Sequence, residues 1–243
     1  MKLTVLGNNG PFPSAGGACS GYLARSGGKN ILIDCGSGVL SNLQKMIRLE
    51  ELDAIILTHL HSDHISDMHV LKYAIQIKRK RGQLERLLEV YAPPEPEEEF
   101  RRLDVKDAFI LKTITADTVL QIGDSKLTFA QMKHPSMDFA VAVECHGKRF
   151  VFSGDTSWTE AIIRFAAGAD LLMLDAGLLE RDFVEGAPHL TASQCGIVAL
   201  EAGAKKLLLT HFWPEYDVKD LIAEASRNFK NVEAAQIMSD YEV

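Results

Sequence analysis

The segment running from Asp53 to His64 constrains this chain more than any other. A short apolar run, Asp53–Leu57, reads as a buried strand and leads directly into Thr58-His59-Leu60-His61-Ser62-Asp63-His64. Three of the chain's eight histidines therefore fall on one short segment at a strand end. Loops at strand ends are where rigid scaffolds commonly carry their chemistry. Imidazole and carboxylate are the donors that borderline metals such as zinc prefer. At the end of a strand His59 and His61 share a facing at i, i+2. The turn beyond can curl Asp63 and His64 toward a neighbouring position, so one segment can serve two metals. More donors would be needed, and candidates stand in similar contexts: His134, Asp155 in Ser153-Gly154-Asp155-Thr156, and His211 in Leu209-Thr210-His211. Alone, His134 or His211 would read as an ordinary surface or core histidine.

The surrounding sequence alternates short apolar runs with amphipathic stretches. Strands are expected at Leu3–Leu6, Gly21–Arg25, Asn30–Asp34, Lys126–Lys133, Phe139–Cys145, Arg149–Ser153, Leu171–Asp175 and Lys206–Thr210. Helices are expected from Val39 to about Arg48, Asp67 to about Arg81, after Pro93-Pro94-Glu95-Pro96 to about Leu103, and at Thr159–Ala167, Thr191–Ala202 and Asp217–Asn228. Each half has several strands first, then alternating helix and strand. That order suggests two mixed sheets packed face to face with helices outside. The 243 residues carry no linker long enough to demand a second unit, so one domain is expected over 1–243.

Composition excludes several classes. A net charge of −7 gives no footprint for long nucleic acid or anionic membrane. The basic run Lys78-Arg79-Lys80-Arg81 reads as a solvated helix end, opposed by nearby Glu95 and Glu97-Glu98-Glu99. No window approaches the ~18 apolar residues of a membrane span, and the N-terminus lacks a signal-peptide core. Cys19, Cys35, Cys145 and Cys195 are widely spaced with no CxxC. A reduced, cytoplasmic protein is expected.

The donors, taken in order, resemble the five-motif signature of the metallo-β-lactamase superfamily. Asp34 in Leu32-Ile33-Asp34-Cys35-Gly36 resembles its first motif and the HxHxDH cluster its second; His134, Asp155 and His211 resemble the remaining three. The resemblance spans nearly the whole chain. It implies an α/β (α+β) fold, a four-layer αββα sandwich. It also implies two divalent metal ions, zinc being expected and manganese or iron alternatives. By the same resemblance His59, His61 and His134 would hold one metal, and Asp63, His64 and His211 the other. Asp155 and a water or hydroxide would bridge them, and Asp34 would support the cluster by hydrogen bonds. His69 and His146 match no motif and read as structural or solvated. The cysteines match no ligand position. Relatives in this branch often pair, which implies a homodimer.

Two further segments resemble the ribonuclease Z-like phosphodiesterases. One is Leu3-Thr4-Val5-Leu6-Gly7 with Pro11. The other is Pro188-His189-Leu190-Thr191-Ala192, whose His189 would protonate or stabilise the leaving oxygen beside Asp63, which would orient the attacking group. The chain departs from ribonuclease Z in two respects. His134 and Asp155 are only 21 positions apart, leaving no room for the arm that grips transfer RNA, and Glu215-Tyr216 stands where that family commonly shows Arg-Tyr. A small anionic phosphodiester, a cyclic nucleotide or cyclic ribose phosphate, is the expected substrate. The alternatives are a carboxylic-ester, lactone or thioester hydrolase, a ribonuclease Z-type endonuclease, and a non-catalytic metal-binding protein. Phe12, Trp158 and Trp213 lie beside motifs and could either pack or line a pocket.

Overall fold

The computed structural model describes residues 1–243. The first half contains β1 (Lys2–Gly7), β2 (Gly21–Ser26), β3 (Lys29–Ile33), α1 (Val39–Met46), β4 (Ala54–Ile56), α2 (Ser62–Ile65), α3 (Met68–Lys80), β5 (Leu88–Ala92), α4 (Glu97–Arg102) and β6 (Phe109–Thr113). Next come β7 (Val119–Ile122), β8 (Ser125–Gln131), β9 (Phe139–Cys145), β10 (Lys148–Phe152), α5 (Glu160–Phe165) and β11 (Leu171–Asp175). The chain ends with α6 (Ala192–Glu201), β12 (Leu207–Thr210), α7 (Val218–Ala225), β13 (Val232–Ala234) and β14 (Asp240–Glu242). Two seven-stranded sheets result, ordered β14-β1-β2-β3-β4-β5-β6 and β13-β12-β11-β10-β9-β8-β7.

The side-chain period of two explains the layers. Along β3, Ile31 and Ile33 enter the core between the sheets, while Leu32 faces the outer cluster with Val39, Leu43, Met68, Leu71 and Ile75 of α1 and α3. Along β11, Leu171 and Met173 point inward between the sheets, and Leu172 and Leu174 pack under α5, α6 and α7. Strands covered on both faces need apolar residues at every position, and Leu171–Leu174 and Leu207–Leu209 have them. The four-layer sandwich expected from the element order is the architecture observed.

Both sheets are mixed. Strands β3 to β6 run parallel in one, and β10 to β13 run parallel in the other. Parallel strands deliver their C-terminal ends to a common edge, where open α/β sheets build their sites. The segments following β3, β4, β10, β11 and β12 therefore meet at one end of the sandwich. Tyr22 of β2 ties the sheets together there: its hydroxyl lies 2.7 Å from Thr210 Oγ1, both side chains fully buried.

Several strands were not anticipated from sequence. Strands β5, β6, β7, β13 and β14 are short, and β6, β7, β13 and β14 occupy or adjoin sheet edges with partly exposed residues. Edge strands carry mixed polar patterns, such as Lys112 of β6 paired with Glu89 of β5 at 2.7 Å. Strand β8 ends at Gln131, so His134 sits on the β8–β9 loop and not at the tip of a strand reaching Lys133. The cluster 62–65 is a turn of helix, α2. Thr159, Thr191 and Asp217 cap α5, α6 and α7 from outside. No helix is long and apolar enough to cross a membrane. The basic run at the end of α3 is partly neutralised, Lys78 pairing with Glu50 at 2.7 Å.

Replacing Tyr22 by Phe removes the cross-sheet hydrogen bond and leaves the buried Thr210 hydroxyl without this partner. The expected cost is ~1–2 kcal/mol, read as a lower urea midpoint with an unchanged far-UV spectrum.

Candidate metal centre

Nine sequence-selected residues converge at this edge. His59 follows β4, Asp34 follows β3, Asp155 follows β10 and His211 follows β12, while Asp63 and His64 ride on α2. Donor atoms of His59, His61 and His134 lie within 4.8 Å of one another, as do those of Asp63, His64, Asp155 and His211. The first group is the set expected for one metal; the second adds Asp155, expected as a bridge, to Asp63, His64 and His211. They differ in exposure: His61 is exposed and His134 half-buried, whereas all four residues of the second group are buried. His69 and His146 stay outside, the latter exposed on a hairpin opposite Asp124.

The buried histidines share one arrangement. His64 Nδ1 lies 2.7 Å from Asp34 Oδ2, His59 Nδ1 2.7 Å from Asp138 Oδ2, and His211 Nδ1 3.4 Å from Asp175 Oδ1. The carboxylates close behind His64 and His59 orient those rings with Nε2 inward, as metal-ligating histidines require; the Asp175 contact behind His211 is longer, and His211 Nδ1 has no hydrogen-bond partner. On the inner side His211 Nε2 lies 3.2 Å from Asp63 Oδ2 and 3.2 Å from Asp155 Oδ2, and His64 Nε2 lies 3.4 Å from Asp155 Oδ1. The buried atoms His59 Nε2, His64 Nε2 and Asp155 Oδ1 have no hydrogen-bond partner. Orphaned polar atoms are rare in protein interiors. Their convergence, with nitrogen and oxygen donors only, fits divalent cations of the zinc, manganese and iron group.

Sequence reasoning found Asp34 but missed Asp138 and Asp175. Both are fully buried. Asp175 ends an apolar strand as Asp34 does, and that parallel was a usable signal. Asp138 lies in a polar loop and gave none. Asp138 Oδ2 also accepts the Asp155 amide hydrogen bond at 3.0 Å, and a β-carbon on Gly154 (φ 62°) would collide with the Asp138 carboxylate. Only glycine accommodates both demands there. Asp34 (φ 58°) and His211 (φ 57°) hold left-handed backbone that non-glycine residues avoid at a cost of about 1 kcal/mol each. Gly10 packs so tightly on His211 that any side chain there would strike Nε2.

Electrostatics divides the imidazoles. Burial, reinforced by the neighbouring His64, brings His59 down to about 4. Burial likewise brings His134 down to about 4, with His59 and His61 contributing. Burial opposes protonation of His64 and His211 as well, but Asp155 with Asp34, and Asp155 with Asp175, hold them well above the usual range. Burial would raise Asp63, yet the His211 hydrogen bond and the charges of His64 and His211 bring it down to about 2.

His189 stands above these groups. Its ring stacks on His211 at 5.0 Å between centroids and lies 5.9 Å from His134, spanning the two ligand groups. Its Nδ1 lies 2.8 Å from Asp175 Oδ2, so one carboxylate holds both His189 and His211. Burial works against its protonation, but Asp175 and Asp155 raise it above the ordinary imidazole range.

Two face-to-face mixed sheets under helices, with this donor set at one edge, define a metallo-hydrolase of the β-lactamase fold. Residues 29–212 match the beta-lactamase superfamily domain, and the chain belongs to that family. It is 35% identical to a probable metallo-hydrolase, YhfI of Bacillus subtilis, over 96% of this chain and 95% of that protein. The crystal structure of YhfI superposes with a TM-score of 0.96, covering 100% of this chain and 99% of the other. Ribonuclease Z of Brevibacillus brevis is 26% identical, covering 100% of this chain and 97% of the relative. That alignment runs over 311 positions, so the relative carries segments absent here. The short form of human tRNase Z shares the fold at a TM-score of 0.78 and 21% identity, covering 100% and 99% of the two chains.

Two outcomes test the centre. Asp138→Ala frees the His59 ring, so metal affinity falls about 10- to 100-fold while the fold persists, measured by competition with a chelator. Metal binding near neutral pH displaces protons held on His64 and His211. Calorimetry in buffers of differing ionisation enthalpy then shows proton release, and affinity weakens as pH falls.

Proposed function

We propose that this protein is a dinuclear metal-dependent phosphodiesterase acting on a small diester such as a cyclic nucleotide or cyclic ribose phosphate. The observation carrying the reading is His189: oriented by Asp175, stacked on one ligand group and adjacent to the other. His59, His61 and His134 would hold one cation, and Asp63, His64 and His211 the second, with Asp155 shared. Bound there, two divalent cations would neutralise phosphoryl charge and make water acidic enough to attack near neutral pH.

The remaining steps belong to side chains. Asp63 is poised to accept a hydrogen bond from the attacking water and aim it at phosphorus. His189 delivers its proton to the departing oxygen, and its raised affinity for that proton keeps the acid form present near neutral pH. The Asp175 carboxylate at Nδ1 stabilises the charged ring and fixes its direction. The 133–155 stretch favours a small substrate: it is taken up by β9 and β10 and their turns, so no arm extends from it.

The test is turnover of bis(p-nitrophenyl) phosphate and of cyclic nucleotides by metal-loaded protein. His189→Ala should cost about 10²- to 10⁴-fold in kcat with alkoxide leaving groups and far less with p-nitrophenolate, which leaves without a proton. Absence of metal-dependent turnover on every diester overturns the proposal. Lactone turnover far above diester turnover, indifferent to His189→Ala, selects a carboxylic-ester hydrolase instead.

A further inference from the structure

The rim of the centre carries an aromatic pair that neither metal binding nor proton transfer uses. Phe12 remains 43% exposed although it is apolar. Its ring packs edge-to-face on Trp213, with centroids 5.2 Å apart and planes at 81°. Both residues are tied to the centre through short connections. Trp213 follows His211 by two residues, and Phe12 follows Gly10 by two, the glycine pressed on the His211 ring. Two residues of chain span at most ~7 Å, so both backbones lie beside the second ligand group.

The loop bearing Phe12 is braced. Asn9 Oδ1 accepts from the Ser14 amide at 3.1 Å and the Ser14 hydroxyl at 2.9 Å. The Gly10 amide donates to Phe212 O at 3.1 Å, and the Phe212 amide donates to Asn8 O at 2.8 Å. The Phe12 loop is thus stitched to the Trp213 segment through Phe212, the residue between His211 and Trp213. The segment leading to His189 is tied to the residues after Trp213, since Tyr216 donates to Asp182 at 2.8 Å. What sets Phe12 apart from the other exposed apolar side chains is its packing on Trp213 next to His211, where its exposed ring face offers apolar contact to a planar group.

We infer that Phe12 and Trp213 form a stacking subsite for a nucleobase, so that the preferred diester is a nucleoside cyclic phosphate over a ring-less sugar phosphate. Phosphate at the metal ligands and a base on the adjoining aromatic pair are the two ends of one small molecule. Stacking on an aromatic side chain tolerates any base, because every base presents a π-face. The substrate identity rests on the phosphodiesterase reading above; the binding of a base does not.

The experiment therefore has two arms. Metal-loaded protein is assayed on adenosine cyclic monophosphate and on cyclic ribose phosphate, and the ratio of their kcat/KM values is compared among wild type, Phe12→Ala, Phe12→Leu and Phe12→Tyr. Loss of one stack lowers the ratio about ten-fold in the Ala and Leu variants, through KM, and Phe12→Tyr preserves it. In the second arm, Trp213 fluorescence is followed in a Trp158→Phe background while adenosine monophosphate or ribose phosphate is added. Adenosine monophosphate should quench and ribose phosphate should not. An unchanged ratio in Phe12→Ala, or equal quenching by the two ligands, overturns the subsite even if diesters are hydrolysed. Failure of all turnover overturns the phosphodiesterase reading, and the quenching arm still decides the subsite.

Discussion

The structure depends on buried carboxylates placed behind imidazoles. Asp34, Asp138 and Asp175 each sit at zero exposure, and each faces the Nδ1 of a histidine that turns Nε2 inward. Burying a carboxylate is costly unless its oxygens are satisfied. Here the backbone helps: Thr58 N donates to Asp34, Asp155 N to Asp138, and Gly177 N and Thr156 N to Asp175. The Thr58, Asp155 and Thr156 amides come from the segments that bear His59 and Asp155. The loops are thus held by hydrogen bonds to the carboxylates that orient the histidines, although Asp138 Oδ1 itself has no partner.

This convergence is a product of the sheet topology. Parallel strands β3 and β4 and parallel strands β10, β11 and β12 end side by side. Residues more than a hundred positions apart, such as Asp63 and His211, meet at 3.2 Å because their strands end at one edge. Apolar faces on both sides of each sheet fix that register, since a slip of one residue would turn Met173 or Leu208 out of the inner core. Packing and chemistry are therefore set by one pattern of alternation.

That division explains what could be read in the chain. His59, His61, Asp63 and His64 were legible because four donors crowd one strand end. His134, Asp155 and His211 were legible only as an ordered set. The long apolar strands were legible because two buried faces demand uninterrupted hydrophobic sequence, and α3 because its buried stripe recurs at helical spacing. Strands β5, β6 and β7 were not: edge or near-edge strands mix charge with apolar residues, and their pairing is decided by neighbours. Asp138 was hidden because its partners, His59 and the Asp155 amide, lie 79 and 17 positions away in sequence. Nothing local distinguishes such an aspartate from a solvated loop residue.

Asp175 has a consequence that the other two carboxylates lack. Its Oδ1 faces His211 and accepts from Gly177, and its Oδ2 holds His189. The ring that would release the leaving group and a ring that would grip the cation are thus positioned by one side chain. A displacement of Asp175 would move both, so in the proposed reading His189 keeps its place relative to His211. Gly10 presses on the His211 ring, and the His189 ring stacks on it at 5.0 Å between centroids. Transition-state stabilisation depends on groups already aimed where charge develops. On the proposed reading a shared, buried carboxylate would do this with one residue, at the cost that neither histidine could be tuned without disturbing the other.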